Sequence, residues 1–223
     1  MSEKVKFHDF VELDYTGKLE DGTVFDTTEE KVAKEHGFFN EKMKFGPAVV
    51  CVGEQQLLPG LDAELVDKEI GKAYSTKLPT EKAFGKRDIK NLKIMPMSTF
   101  REHKMEPHPG LQIDVDGQRG TVTRVSGGRV IVNFNHPLAG KEIIYEFKVH
   151  RRITEPAEQI RFFLNTSLQL PLDKIQVELK ESKAEIKIPL NFPAQIQEAI
   201  GKKLTELTGL KEVAFVMPKE AGK

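Results

Sequence analysis

The sequence predicts an α+β protein made of small, mostly β-rich units. Three observations predict it. Runs of period-two alternation, the mark of half-buried strands, recur along the chain between turn pairs such as Asp21-Gly22 and Asp116-Gly117. Helical spacing is confined to a few segments. The style of the chain also changes near residue 87 and again near 153, so its 223 residues suit about two to three small domains better than one large one.

Residues 5–15 alternate, with Val11, Leu13 and Tyr15 on one side of a strand. Gly17 and Asp21-Gly22 mark turns, the second suiting a hairpin that returns through Thr23–Phe25. The segment 28–44 is polar and reads as a loop or short helix, and β-type apolar residues return at 48–52. Leu57, Leu58, Leu61 and Leu65 follow at roughly helical spacing, with Pro59 in the first turn and Gly71 as a stop. Residues 73–78 read as another strand. Leu111–Val115, Gly120–Val125 and Arg129–Phe134 form a hairpin-rich unit, preceded by the Met-rich run Ile94 to Met105. After the strand Ile143–Val149 comes an α-β-β-α-β pattern. It comprises a helix over Glu155–Asn165, alternation at 175–179 and 184–188, a helix marked by Ile196, Ile200, Leu204 and Leu207 and ended by Gly209, and a strand at Val213–Val216. Lys219–Lys223 reads as a frayed end.

Hydrophobic residues make up 39 % and charged residues 30 %, an ordinary globular balance. Lys+Arg and Asp+Glu both number 34, so no basic excess is present to neutralise phosphate and nucleic acid is not an expected partner. No apolar run approaches the ~18 residues of a membrane span. Lys4 and Lys6 stand where a signal peptide needs apolar residues, so a reducing cytoplasm is the expected compartment. The one cysteine, Cys51, sits in an apolar run and reads as a small buried hydrophobe. His103 and His108 read as surface or satisfied histidines, and no metal or other cofactor is expected.

Five motifs occur in order: Asp14-Tyr15-Thr16-Gly17 with Glu20 to Thr28, Gly53…Leu57-Leu58-Pro59-Gly60-Leu61-Asp62, Ala83-Phe84-Gly85, Asn135-His136-Pro137-Leu138-Ala139-Gly140-Lys141, and Ile143 to Phe147. Together they resemble FKBP-type peptidyl-prolyl cis–trans isomerases, and the fourth is similar to the SlyD-like branch, in which an insert-in-flap domain interrupts the isomerase. The resemblance covers residues 1–152. It implies an antiparallel half-barrel wrapped on a short helix, formed by residues 1–86 and 135–152, with a chaperone insert at 87–134 and a C-terminal α/β domain at 153–223.

The resemblance assigns Tyr15, Asp26, Leu58, Phe84 and Tyr145 to the catalytic pocket. Phe25, Val50, Leu57, Leu61 and Leu138 would line it, with Leu61 as floor where many members carry Trp. Phe84 stands where Tyr is usual. Tyr15 and Asp26 would hydrogen-bond each other at the polar end. On periodicity alone Tyr15, Leu57, Leu58 and Leu61 read as core, and Asp26 as a cap or turn former. Ile94, Met95, Met97, Phe100 and Met105 read two ways: an adaptable client-binding surface, or the small core of the insert. The implied partners are unfolded or partly folded proteins and proline-containing peptides. A homodimer through the C-terminal domain is also expected. A holdase that grips chains without turnover is the alternative function.

Overall fold

The computed structural model describes residues 3–216, so the expected fraying of Lys219–Lys223 lies outside the described residues. The chain is α+β with mostly antiparallel strands and divides into two compact units. One runs through Lys77 and resumes at Ile144; the other is Leu78–Ile143.

In the first unit β1 (Phe10–Leu19) pairs antiparallel with β2 (Val24–Thr27) through its second half. A short α1 (Glu30–Glu35) leads to β3 (Ala48–Cys51), which pairs antiparallel with the first half of β1. Helix α2 (Pro59–Leu65) follows, with Pro59 inside its first turn, where the missing N–H costs nothing. The helix stops at Leu65 and does not run to Gly71. Residues 67–70 are diverted into backbone bonds with the N-terminal segment, where Val5 N–H donates to Lys68 O and Asp67 N–H to Val5 O. Strand β4 (Ala73–Leu78) closes this stretch.

The second unit contains a four-stranded sheet in the order β5-β8-β7-β6, formed by β5 (Leu92–Pro96), β6 (Gln112–Val115), β7 (Gln118–Ser126) and β8 (Arg129–Asn133). Spacing alone does not reveal β5; its pairing with β8 (Ile94 opposite Ile131) makes it a strand, and Pro96 is tolerated because β5 is an edge. Helix α3 (Met97–Glu102) lays Phe100 into a core of Ile113, Val122, Val130 and Val132.

Strand β9 (Ile143–Ile153) lies between β1 and β4. Its alternation buries Tyr145, Phe147 and Val149 and leaves Glu146 and Lys148 outside. Then come α4 (Pro156–Leu168), β10 (Gln176–Lys180), β11 (Lys183–Lys187), α5 (Ala194–Thr208) and β12 (Glu212–Phe215). β10 and β11 are an antiparallel hairpin, whereas β12 is parallel to β11, a pairing that requires a crossover, supplied by α5. Gly209 ends α5 in the left-handed region at φ 71°.

This last segment packs on the N-terminal part of the same unit. Phe10, Val49 and Cys51 share a core with Ile153 and Leu207, flanked by Phe162 and Phe163. Strand β3 is therefore covered on both faces, which is why its sequence is an unbroken apolar run and not an alternation.

Within the segment, α5 lies against β12 with no room for a methyl: a Cβ at Gly201 would stand 2.5 Å from Val213 O. Gly201→Ala is expected to destabilise the protein by about 1–3 kcal/mol through forced separation of helix and strand. Urea denaturation checks this, and a variant as stable as the parent would show that the helix can shift freely.

Candidate active site

Tyr145 is the residue on which Tyr15, Phe25 and Asp26 converge. Its ring is 3 % exposed and meets Tyr15 edge-on at 5.8 Å between centroids and Phe25 edge-on at 5.9 Å. Edge-to-face pairs at such distances are favourable beyond the area they bury. Gly17 leaves the space: a Cβ there would stand 2.8 Å from both Phe25 Cζ and Tyr145 Cε1.

A register shift brings the second polar partner in. Gly17 pairs with Asp26 but Lys18 pairs with Val24, so Phe25 is the extra residue of a bulge in β2. In an unbroken strand Phe25 and Asp26 would face opposite sides; the bulge re-aims them so that both reach Tyr145. The Tyr145 hydroxyl donates to the Asp26 carboxylate. This corrects the expected Tyr15–Asp26 bond: Asp26 acts on Tyr15 only through its charge.

Electrostatics follow from burial. Asp26 is raised above its ordinary carboxylate value mainly by desolvation, opposed by hydrogen bonds from the Thr27 backbone and from Tyr145. Tyr15 is pushed up to about 12 by burial and then by the Asp26 charge. Tyr145 is raised further by burial, by the charge of Asp26 and by its bond to that carboxylate. Both phenols therefore remain protonated donors at neutral pH. Outside the ring cluster, Asp14 accepts from Thr28 Oγ1 at 2.6 Å and meets His150 Nε2 at 2.8 Å, tying β1 to β2's end and to β9.

Leu57 and Leu58 are half-buried in the loop before α2. Leu58 caps the helix, and its carbonyl accepts from Leu61 and Asp62 N–H at 2.8 and 3.0 Å. Leu61 is 1 % exposed and Val50 is 3 %, so both lie within the apolar interior, whereas Tyr15, Phe25, Asp26, Leu57 and Leu58 are half-buried. Asp62, quoted above only as part of a motif, holds this loop. It is 4 % exposed and accepts from Gly53 and Gln55 N–H at 2.9 and 3.0 Å. An acid in the first turn of a helix was the available signal for it.

In the second unit Phe84 stacks on His136, with centroids 4.4 Å apart and planes within 5°. Leu138 is half-buried beside it, its N–H donating to His136 Nδ1. His136, part of the fourth motif, is exposed, and its stacking role has no signature in spacing. The insert residues divide. Phe100 is 1 % exposed and belongs to the core, so it does not present an open surface. Met95 and Met97 pack partly against that core, while Ile94 and Met105 are exposed. A groove of about 270 Å³ is lined by Met95, Phe100, His103, Met105 and Ile113.

Chemically, the cluster is an apolar and aromatic wall with one carboxylate. Cys51 is buried and its thiol is pushed up to about 12, chiefly by desolvation. Among the described residues no group of three His, Cys, Asp or Glu side chains is placed to hold a metal ion.

Residues 1–101 match the family described as FKBP-type peptidyl-prolyl cis-trans isomerase, and residues 93–138 match that described as FKBP26, IF domain. A short-type peptidyl-prolyl cis-trans isomerase of Methanocaldococcus jannaschii is 33 % identical over 154 residues, which cover 69 % of this chain and 96 % of that one. The FKBP-type isomerase SlyD of Aeromonas hydrophila is 32 % identical over 152 residues, 67 % of this chain and 65 % of its own. An FKBP-type 16 kDa isomerase of Escherichia coli is 29 % identical over 154 residues, covering 67 % and 94 %.

The raised Asp26 gives a pH test. A carboxyl whose folded value lies above its unfolded one contributes stability that is complete below the unfolded value of about 4 and is lost as pH rises through the folded value. Asp26→Asn, which imitates the protonated acid, should therefore gain on the parent as pH is raised above about 4. Parallel denaturation curves across that range, with a constant difference, would contradict the assignment.

Proposed function

The chain belongs to the FKBP-type peptidyl-prolyl cis–trans isomerases, and from that premise we propose that it turns X–Pro bonds in a pocket walled by Tyr15, Phe25, Asp26, Leu57, Leu58, Leu61 and Tyr145. The carrying observation is the convergence of two rings and one carboxylate on Tyr145.

The X–Pro bond rotates slowly because amide resonance gives it partial double-bond character, and uncatalysed isomerisation takes tens to hundreds of seconds. The twisted transition state loses that resonance and its charge separation. An apolar enclosure therefore favours it over the planar ground state, which is differential binding and needs no covalent step. Leu57, Leu58 and Leu61 enclose the proline ring with Val50 behind them. The Leu58 N–H, just ahead of α2, anchors a substrate carbonyl. Tyr15, Tyr145 and Asp26 form the polar end.

We assign client capture to the insert. Its support is Met105, 38 % exposed on the lining of the 270 Å³ groove, together with Ile94, 65 % exposed on strand β5. Methionine-lined surfaces adapt to varied chains. A client held there raises the effective concentration of its prolines at the isomerase. Unfolded proteins and prolyl peptides are the proposed partners, and two copies pairing through the C-terminal domain the proposed assembly. No helix among the described residues is long and apolar enough to cross a membrane, and the cytoplasm is the proposed compartment.

The test is turnover of a short X–Pro peptide and refolding of a proline-limited protein by the full chain. Asp26→Ala should lower kcat/KM roughly tenfold, about 1.4 kcal/mol of barrier, and Tyr15→Phe should cost less. Ile94→Ser with Met105→Ser should slow protein refolding and spare the peptide. Unchanged turnover in Asp26→Ala would overturn its role, and an equal loss on both substrates would make the insert surface structural.

A further inference from the structure

The loop that delivers Leu57 and Leu58 is gripped from outside the isomerase fold. Glu54 is largely buried, and its Oε1 receives Lys203 Nζ from α5 at 2.7 Å and faces His8 Nε2 at 3.3 Å. Two residues on, Gln56 Oε1 accepts from Cys51 N–H at 2.7 Å while its Nε2 donates to Ser167 Oγ of α4 at 3.3 Å. The Phe7 ring lies across Gly53, where a Cβ would come within 2.0 Å of it and where φ is 92°, so only glycine fits. From the inner side Asp62 holds the amides of Gly53 and Gln55. Every residue from Gly53 to Gln56 thus has a fixed contact, and two of those contacts come from the C-terminal segment.

We propose that Lys203, acting on Glu54, is a positioning residue through which the C-terminal segment sets the Leu57–Leu58 loop for substrate. The inference rests on the isomerase reading for the meaning of that loop, though the grip itself does not. Fold stability does not by itself explain the pair, because its Lys203 end is 35 % exposed and solvent screens the attraction there. Placement is a better explanation. Glu54 stands four residues before Leu58, and the chain between has no regular structure of its own to hold its direction. The Glu54 contact also keeps Lys203 above its ordinary lysine value, chiefly through the hydrogen bond and against partial desolvation. α4 and α5 reach the assigned residues by two routes, this loop and β3, whose Val49 and Cys51 they cover on either side of Val50; only the loop route depends on Lys203 and Glu54.

The experiment compares the full chain with Lys203→Met, Glu54→Gln and Lys203→Arg. It reads kcat and KM on an X–Pro peptide, thermal unfolding, and amide exchange at Gly53 and Gln55. Lys203→Met and Glu54→Gln should raise KM roughly three- to tenfold with kcat within about twofold, as loss of a contact equal in ground and transition states requires. Exchange at the two amides should quicken roughly tenfold while the unfolding midpoint holds. Lys203→Arg, which keeps the charge, should restore KM. Parent-like KM and exchange in Lys203→Met would overturn the proposal, as would Lys203→Arg failing in the same way as Lys203→Met. A parent chain that turns over no peptide would instead sink the isomerase reading, and amide exchange would then decide the grip by itself.

Discussion

The buried phenol of Tyr145 is the constraint on which the first unit's site depends. A ring sealed inside a sheet must find a partner for its hydroxyl or lose the hydrogen bond that water would have given. Asp26 supplies that partner, and reaching it dictates much of the local covalent pattern. Strand β2 must carry a bulge so that adjacent side chains share one side, and position 17 must carry no side chain so that two rings can close over β1. The carboxylate is in turn placed in a poorly solvated setting, which raises its proton affinity and those of both phenols. Polar and apolar parts of the wall are thus set by one packing solution.

A second constraint is the double coverage of β3. Its inner face buries Val50, and its outer face gives Val49 and Cys51 to a core shared with Ile153 and Leu207. Burying each such apolar side chain contributes about 1.5–3 kcal/mol, so the C-terminal segment is attached by hydrophobic area and not by a few surface charges. The polar contacts around Glu54 and Gln56 sit at the rim of that shared core. There the hydrophobic attachment brings them to a fixed place, and they need add only direction.

Much of this was legible in the residues, for identifiable reasons. Val11 and Leu13 alternate with polar neighbours because one face of β1 is solvated there, and the period of two reports it. Phe10 breaks the pattern because the C-terminal segment covers the other face, a fact held by residues far along the chain. Helix α2 was readable from its leucines and Pro59, but its end was not, since residues 3–5 take the backbone of residues 67–70 into a long-range pairing. The Tyr145–Asp26 bond was missed in favour of Tyr15–Asp26 because Tyr15 and Tyr145 stand on different strands, and only the packed sheet decides which hydroxyl arrives. Phe100 and Met105 have similar composition signals, yet one is core and the other surface, because helix α3 turns Phe100 inward.

The most direct measurement is turnover of an X–Pro peptide by Tyr145→Phe, which removes one hydroxyl and keeps the ring that Tyr15 and Phe25 pack against. Loss of the donor to Asp26 should reduce kcat/KM about tenfold in a chain that still unfolds cooperatively. Parent-level turnover in that variant would show that the phenol serves only packing, and the wall described around it would then have no part in the reaction.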